Sequence, residues 1–260
     1  MLLHFSKYQG AGNDFIIIDN RTSSISLSTQ KIEKLCNRNF GIGADGLMFL
    51  ELSEQANFKM IYFNADGKES TMCGNGGRCI VAFANRLNII NHKTKFIAID
   101  GIHHAEILAN NKVRLQMQNV ETIKQINENT YILNTGSPHY VMFYQGINQL
   151  NVLEEGRKIR NTEPYKASGI NVNFIEKIDA DKLQIRTYER GVENETLACG
   201  TGVTAAAIAL AEAEGKKSGN IFVEAKGGNL EVEFNKEGNI YQNIWLTGLA
   251  EFVFEGKIEI

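Results

Sequence analysis

Two octapeptides decide the reading of this chain: Glu69-Ser-Thr-Met-Cys73-Gly-Asn-Gly76 and Glu195-Thr-Leu-Ala-Cys199-Gly-Thr-Gly202. Both fit E-[ST]-x-x-C-G-[NT]-G, and from position 73 to position 199 is 126 residues, close to half of a 260-residue chain. A chance octapeptide would not carry its neighbours along, and here it does. Ile61-Tyr-Phe-Asn64 ahead of Asp66-Gly67 is echoed by Arg186-Thr-Tyr-Glu189 ahead of Arg190-Gly191, and Gly10-Ala-Gly-Asn13-Asp-Phe15 more weakly by Thr135-Gly-Ser-Pro-His139-Tyr140. The offset stays at 124 to 126 residues, so the chain is read as a duplicated domain.

Each cysteine motif runs into a helical pattern, Arg78 to Leu87 in one half and Val203 to Glu214 in the other, the second ended by Gly215. Each cysteine therefore stands at a helix N-terminus. The second helix is almost wholly apolar, which places it inside its sheet. Around the helices the pattern gives short strands at 3–8, 14–19, 57–63, 95–99, 102–108, 113–118, 139–144, 171–177, 183–188, 220–225, 229–234 and 240–246, with hairpin signals at Asn110-Asn111 and Gly227-Gly228. Segments 28–38, opened by Ser28 as N-cap, and 151–160 read as amphipathic outer helices. The expected fold is α+β: two pseudo-symmetric halves, each a mostly antiparallel or mixed sheet wrapped around a central helix, with the active site in the cleft between them. The expected boundaries are 1–114 plus a C-terminal strand at about 250–260, and 115–249.

Composition narrows the function. The chain is 43% hydrophobic and 22% charged, and its 27 Lys+Arg against 30 Asp+Glu leave a net charge of −3. That is globular, neither disordered nor a disulfide-built miniprotein. Basic residues are scattered, so no stripe exists to neutralise a phosphate backbone, and nucleic acid is not an expected partner. The longest apolar runs, Phe15–Ile18 and Ala205–Ala211, fall far short of the roughly 20 residues that a membrane span needs. The N-terminal residues lack the pattern of a secretion signal, and the expected location is the cytoplasm. Four cysteines, Cys36, Cys73, Cys79 and Cys199, are too few for a disulfide framework. Cys36 and Cys79 read as small buried residues, and no metal set is evident: six residues separate Cys73 from Cys79, too many for a zinc pair.

A cysteine at a helix N-terminus gains two properties. The partial positive charge of the first turn stabilises its thiolate, and the N–H groups of that turn bind anions. Two such ends facing one small carboxylate would flank its α-carbon with two sulfurs. A thiolate on one face can remove the α-proton while a thiol on the other face returns one, which inverts the stereocentre. Preorganised N–H donors take up the charge developing on the carboxylate, with neither cofactor nor metal.

Taken in order, Gly10-Ala-Gly-Asn13-Asp-Phe, Phe40-Gly-Ile-Gly-Ala-Asp45-Gly, Asn64-Ala-Asp-Gly, Cys73-Gly-Asn-Gly-Gly-Arg-Cys, Gly136-Ser-Pro-His139, Tyr188-Glu-Arg-Gly191 and Cys199-Gly-Thr-Gly make the chain similar to the diaminopimelate epimerase family along essentially its whole length. That resemblance implies a cofactor-independent inversion of one α-carbon of LL-2,6-diaminopimelate to the meso isomer, in lysine and peptidoglycan precursor synthesis. It also implies two α/β halves closing over the ligand, and a homodimer. By resemblance Cys73 and Cys199 are the catalytic thiols, and Gly74-Asn75 and Gly200-Thr201 hold the reacting carboxylate. Arg190 grips the distal carboxylate, for which a planar guanidinium is suited. Glu189 meets the reacting ammonium; Asn13, Asn64 and Asn171 hydrogen-bond the ligand; His139 supports the first thiol.

Three positions depart from the family pattern. Gly46 stands where many members have a ligand-touching Gln, Ser137 where many have Asn, and the loop from Arg190 to Cys199 is one residue longer. Relatives that racemise another amino acid, such as histidine, are the alternative this leaves open. Three other classes compete. A thiol–disulfide redox protein would normally carry C-x-x-C. A cysteine hydrolase using Cys73 and His139 leaves the second motif unexplained. A carboxylate-binding module needs the helix ends but not the thiols. His139 alone reads equally as structural, His103 and His104 read as surface residues, and neither glycine-rich nucleotide motif is present.

Overall fold

The structure, a computed structural model, describes residues 1–22 and 24–260. The chain packs as two units, Met1–Leu115 with Gly248–Ile260, and Gln116–Thr247. The first unit carries β1 (Leu2–Gly10), β2 (Asn13–Asp19), α1 (Thr29–Cys36), β3 (Gly46–Glu51), β4 (Phe58–Asn64), β5 (Glu69–Ser70), α2 (Gly74–Arg86), β6 (Lys93–Ala98), β7 (Gly101–Ile107) and β8 (Lys112–Gln116). The second carries β9 (Ile123–Asn127), β10 (Thr130–Asn134), β11 (Pro138–Phe143), α3 (Val152–Arg160), β12 (Asn171–Asp179), β13 (Lys182–Glu189), β14 (Asn194–Thr196), α4 (Gly200–Ala213), β15 (Ser218–Ala225), β16 (Gly228–Glu237) and β17 (Ile240–Leu249). The last strand, β18 (Glu251–Glu259), belongs to the first unit.

The strand pairing repeats as the sequence does. In the first unit β1 pairs antiparallel with β2, β2 parallel with β3, β3 antiparallel with β4, β4 antiparallel with β5 and parallel with β6, and β6 antiparallel with β7. In the second, β10 with β11, β11 with β12, β12 with β13, β13 with β14 and β15, and β15 with β16 repeat each of those senses in turn. One strand is supplied differently. The outer neighbour of β10 is β9, just upstream of it, whereas the outer neighbour of β1 is β18, from the far end of the chain. Each unit is thus a mixed sheet with a central helix, α+β in class.

The sequence pattern has no strand at β3, β9 or β10, nor at the short β5 and β14. Every residue from Gly46 to Leu50 is buried, because β3 is covered on both faces and has no polar side to alternate with. In the neighbouring β2, Ile16 and Ile18 pack with Ile32 and Leu35 of α1, while Phe15 lies against Gly76 of α2. Strand β9 fails for the opposite reason: from Lys124 to Asn127 it is exposed, and Ile-Lys-Gln-Ile-Asn offers almost nothing to bury.

Both central helices begin a turn earlier than the pattern predicts, at Gly74 and Gly200, with Cys73 and Cys199 as N-caps. Glycine has poor helix propensity, so Cys-Gly-x-Gly reads as a turn. The second glycine is sterically required in α4 and only closely packed in α2. A Cβ on Gly202 would lie 2.5 Å from Asn173 Oδ1, and one on Gly76 3.4 Å from the Phe15 ring. From Gly202 to Ala211 α4 is buried all round, as its composition predicts. His103, expected at the surface, is instead largely covered: it stacks on Phe96 at 5.2 Å and bonds Asp100 at 3.2 Å. Among the described residues, no helix is long and apolar enough to cross a membrane.

Candidate active site

In the first unit the tight turn at Ala11 (φ 52) and Gly12 (φ 81) brings Asn13 to the start of β2. Asn13 Nδ2 donates to Asp45 Oδ2 at 2.6 Å. Since a carboxylate only accepts, this fixes the amide with Oδ1 turned the other way. There Oδ1 accepts from Cys73 Sγ at 3.6 Å and from Asn75 Nδ2 at 3.5 Å. Asp45 is anchored in turn by Arg38 at 2.8 Å, and Arg38 grips Asp14 through both Nη atoms at 2.7 and 3.0 Å. Buried Lys7 completes the group, 2.8 Å from Asp14 and bonded to the Gly43 carbonyl. Burial opposes ionisation of Asp14, but the bonds from Arg38 and Lys7 win and hold its carboxyl down at about 2.

Beneath the first turn of α2, Arg78 is wholly buried. Its Nη1 donates to the Gly74 carbonyl at 3.1 Å and its Nη2 to Asn75 Oδ1 at 2.8 Å. Neither Cys73 nor Cys199 uses its side chain to cap the helix that it starts. Asn64 ends β4, exposed, directly across the ladder from Gly46.

In the second unit Cys199 Sγ lies 3.4 Å from Thr201 Oγ1, and the Thr201 carbonyl accepts from Thr135 Oγ1 at 2.8 Å. Asn171, at the start of β12, links two loops. Its Nδ2 donates to Ser137 Oγ at 2.9 Å, and its Oδ1 accepts the Arg190 backbone N–H at 2.9 Å. The Arg190 side chain, exposed, donates to Ser137 Oγ at 3.2 Å and to the Ser168 carbonyl at 3.1 Å. It lies over Gly169, where a Cβ would come within 2.5 Å of Arg190 Cδ. Glu189 ends β13 opposite Asn194, half-buried.

His139 is wholly buried, with Nδ1 3.0 Å from Asn173 Nδ2. The amide is therefore the donor, because its Oδ1 accepts from Thr187 Oγ1 at 3.0 Å. Burial, with Arg190 as the second cause, pushes the imidazole down to about 3. His139 is a neutral ring at physiological pH and supplies no imidazolium. Cys36 and Cys79 are buried, and burial pushes both thiols up to about 12, so neither is a ready nucleophile.

The residues that the motifs single out thus fall into one set per unit, Asn13, Cys73, Gly74 and Asn75 in the first, and His139, Asn171, Glu189, Arg190, Cys199, Gly200 and Thr201 in the second, while Asn64, exposed at the end of β4, makes no side-chain hydrogen bond to either set among the described residues. A family model described as diaminopimelate epimerase matches residues 5–123 and 131–253. The diaminopimelate epimerase of Flavobacterium psychrophilum is 55% identical over 97% of this chain and 98% of its own, and that of Chlorobaculum tepidum 43% identical over 96% and 99%. The chain belongs to the diaminopimelate epimerase family. Membership makes it an isomerase, of the epimerase kind. The crystal structure of a PhzF-family phenazine biosynthesis protein from Bacillus anthracis superposes with a TM-score of 0.75 over 100% of both chains at 14% identity, a likeness of fold.

As a family member the chain handles its departures by local packing. A Cβ on Gly46 would sit 2.5 Å from the Tyr62 ring and 2.6 Å from the Phe63 carbonyl, so only glycine fits that position here. Ser137 joins Asn171 to Arg190. In the longer loop Glu193 accepts from the Gly191 N–H at 3.1 Å and from Tyr188 Oη at 2.9 Å, which ties the extra residue down. Sequence reasoning alone misses Arg78, Asp45 and Asn173 as members of these sets. Asn173 did leave a signal: with Asn171 it puts two polar side chains on one face of the buried, otherwise apolar first half of β12, residues 171–175.

Proposed function

We propose that the chain converts LL-2,6-diaminopimelate to the meso isomer, with Cys73 and Cys199 as its two acid–base groups and no cofactor. The observation that carries this reading is the identical station of the two thiols: each is the N-cap of the glycine-initiated central helix in one copy of a duplicated unit. A thiolate takes the α-proton, the electron pair passes into the carboxylate, and the other thiol returns a proton to the opposite face. At the end of the turnover, thiolate and thiol have exchanged places. First-turn N–H groups at Gly74-Asn75 and Gly200-Thr201 hold the reacting carboxylate as its charge grows. Arg190, held by Ser137, Ser168 and Asn171, presents a guanidinium to the distal carboxylate. Glu189 meets the reacting ammonium, Asn13, Asn64 and Asn171 bond the ligand, and neutral His139 supports the first thiol. All four cysteines are free thiols, in keeping with a cytoplasmic protein, and its assembled form in this reading is a homodimer.

Optical rotation followed on LL-diaminopimelate, histidine and proline identifies the substrate, and only the first is expected to change. In heavy water the product from either isomer should carry deuterium at the inverted carbon, and unlabelled product would rule out two separate bases. Cys73→Ser and Cys199→Ser are each expected to slow net inversion by about 10²–10⁴-fold, the usual contribution of a general acid–base partner. Tolerance of Cys199→Ser would favour a hydrolase-type site built on Cys73 alone. Light scattering on the eluted protein measures the expected dimer.

A further inference from the structure

Arg78 is a cation with no carboxylate to match it among the described residues. It is wholly buried, its hydrogen-bond acceptors are one carbonyl and one amide oxygen, and its Nε has no partner among the described residues. An uncompensated buried charge is among the costliest features a fold can carry, and such groups are paired unless function demands otherwise. The guanidinium bonds Gly74 and Asn75, the two residues that directly follow Cys73, and the groups of opposite potential charge that bear on it there are the thiols of Cys73 and of Cys79, its own neighbour in the chain. Cys79 is wholly buried and does not ionise in the working range. Cys73 is half-exposed and stands five residues before Arg78, at the head of the same helix.

The duplication supplies an internal control. Arg78 plus the repeat of 126 residues is position 204, and Thr204 there is also wholly buried. Thr204 Oγ1 donates to the Gly200 carbonyl at 3.0 Å, just as Arg78 Nη1 donates to the Gly74 carbonyl at 3.1 Å. The two units make the same contact to the first residue of the helix, one with a full positive charge and the other with a neutral hydroxyl. Holding that carbonyl does not require a cation, so the charge in the first unit calls for another reason.

We propose that Arg78 is the fixed counter-charge of the Cys73 thiolate, so that in the substrate-free enzyme the first unit's thiol is the ionised one. This rests on the two-thiol reading of the site and deepens it, since it assigns the resting base. Of the charged groups on the elements packed against α2, Lys7 on β1 pairs with Asp14 on β2, Asp19 on β2 with Arg21, His103 on β7 with Asp100, Glu106 on β7 with Arg114, and Glu255 on β18 with Arg86, Glu251 on β18 bonds Gln9, and His4, His104, Lys257 and Glu259 are exposed to solvent. On β3, Glu51 faces Lys59. Asn13 Oδ1 opposes the assignment by accepting from the thiol, but a long S–H···O contact is weak beside an unmatched charge. Arg78 touches neither thiol by hydrogen bond and is a positioning residue that acts through charge.

The test is the pH dependence of iodoacetamide alkylation at each cysteine in the substrate-free protein, read by peptide mass spectrometry. Cys73 should show its half-maximal rate at lower pH than Cys199. Arg78→Gln should move the Cys73 profile up by a pH unit or more, about a tenfold loss of thiolate on the acid limb, and leave that of Cys199 in place. Arg78→Lys, which keeps the charge, should restore most of the shift. A Cys73 profile unmoved in a folded Arg78→Gln protein overturns the proposal. If that variant does not fold, the native profiles still decide: Cys199 titrating with or below Cys73 overturns it equally. Alkylation needs no turnover, so failure here is distinguishable from failure to epimerise diaminopimelate.

Discussion

Two side chains near the thiols have effects that can be measured one at a time. Asp45 meets Asn13 only through the amide nitrogen, and by doing so decides which end of that amide faces Cys73. Asp45→Ala frees the amide to rotate, while Arg38 keeps its grip on Asp14. The expected result is a fall in kcat/KM of about tenfold, equivalent to one charged hydrogen bond. Because the effect is transmitted by Asn13, the same substitution in an Asn13→Ala background should cost little, and full additivity in that cycle would show that Asp45 acts by another route. Arg190 has the opposite character. Its guanidinium is exposed, and its bonds to Ser137 and Ser168 position it without consuming all five donors. Arg190→Ala should raise KM for diaminopimelate by about 10- to 100-fold, as expected for a lost guanidinium–carboxylate pair, with a smaller change in kcat. An unchanged KM would remove Arg190 from the distal end of the ligand.

Among the elements, the two central helices are copies at both ends. Each starts on a cysteine N-cap, and each finishes in one left-handed residue, Asn88 (φ 56) after α2 and Gly215 (φ 65) after α4. The closing bonds correspond as well. Ile89 N–H reaches the Ala84 carbonyl and Asn88 N–H that of Asn85, while Lys216 N–H reaches Ala211 and Gly215 N–H reaches Glu212. A Cβ on Gly215 would meet open space, so Gly215→Ala changes only the backbone preference, and it should cost about 1 kcal/mol. Asn88→Gly should be neutral or stabilise by a few tenths. Urea unfolding of the two variants checks the pair, and an indifferent Gly215→Ala would mean that the turn does not help to end α4. Gly215 is a helix stop already visible in the sequence, whereas Asn88 is hidden because asparagine turns up in many settings. Legibility fails along the same line elsewhere. The cysteine motifs, their helices and the hairpin at Asn110-Asn111, both with φ 59, follow from local chemistry. Strand β3 does not, because burial on two faces erases the alternation that marks a strand. The C-terminal strand and its place in the first half are expected from the sequence, but its pairing with β1 is not, since that depends on residues about 250 positions apart. Arg78 is the sharpest case at the site: nothing in Gly-Gly-Arg-Cys says that a guanidinium will be buried without a carboxylate.

For the whole molecule, the group that couples folding to mild acid is His139. Wholly buried, its imidazole stays neutral in the folded chain down to about pH 3, while in the unfolded chain it takes a proton near its usual 6.5. Below pH 6.5 the unfolded state therefore binds a proton that the folded state refuses. The stability that His139 allows is complete above 6.5 and drains as pH falls toward 3. Asp14 contributes in the same direction but lower down: its carboxyl, held at about 2, yields stability that is full above about 4 and lost as pH falls through 2. The two windows barely overlap, so the interval from pH 6 to pH 4.5 isolates the histidine. Across it the unfolding free energy of the native chain should fall by about 1.4 kcal/mol per pH unit more than that of His139→Gln, the slope set by one proton. The glutamine can still accept from Asn173, so the comparison removes the titration and keeps the hydrogen bond. Urea midpoints at four pH values are sufficient, and parallel slopes for the two proteins would mean that the buried ring accepts its proton without unfolding the chain.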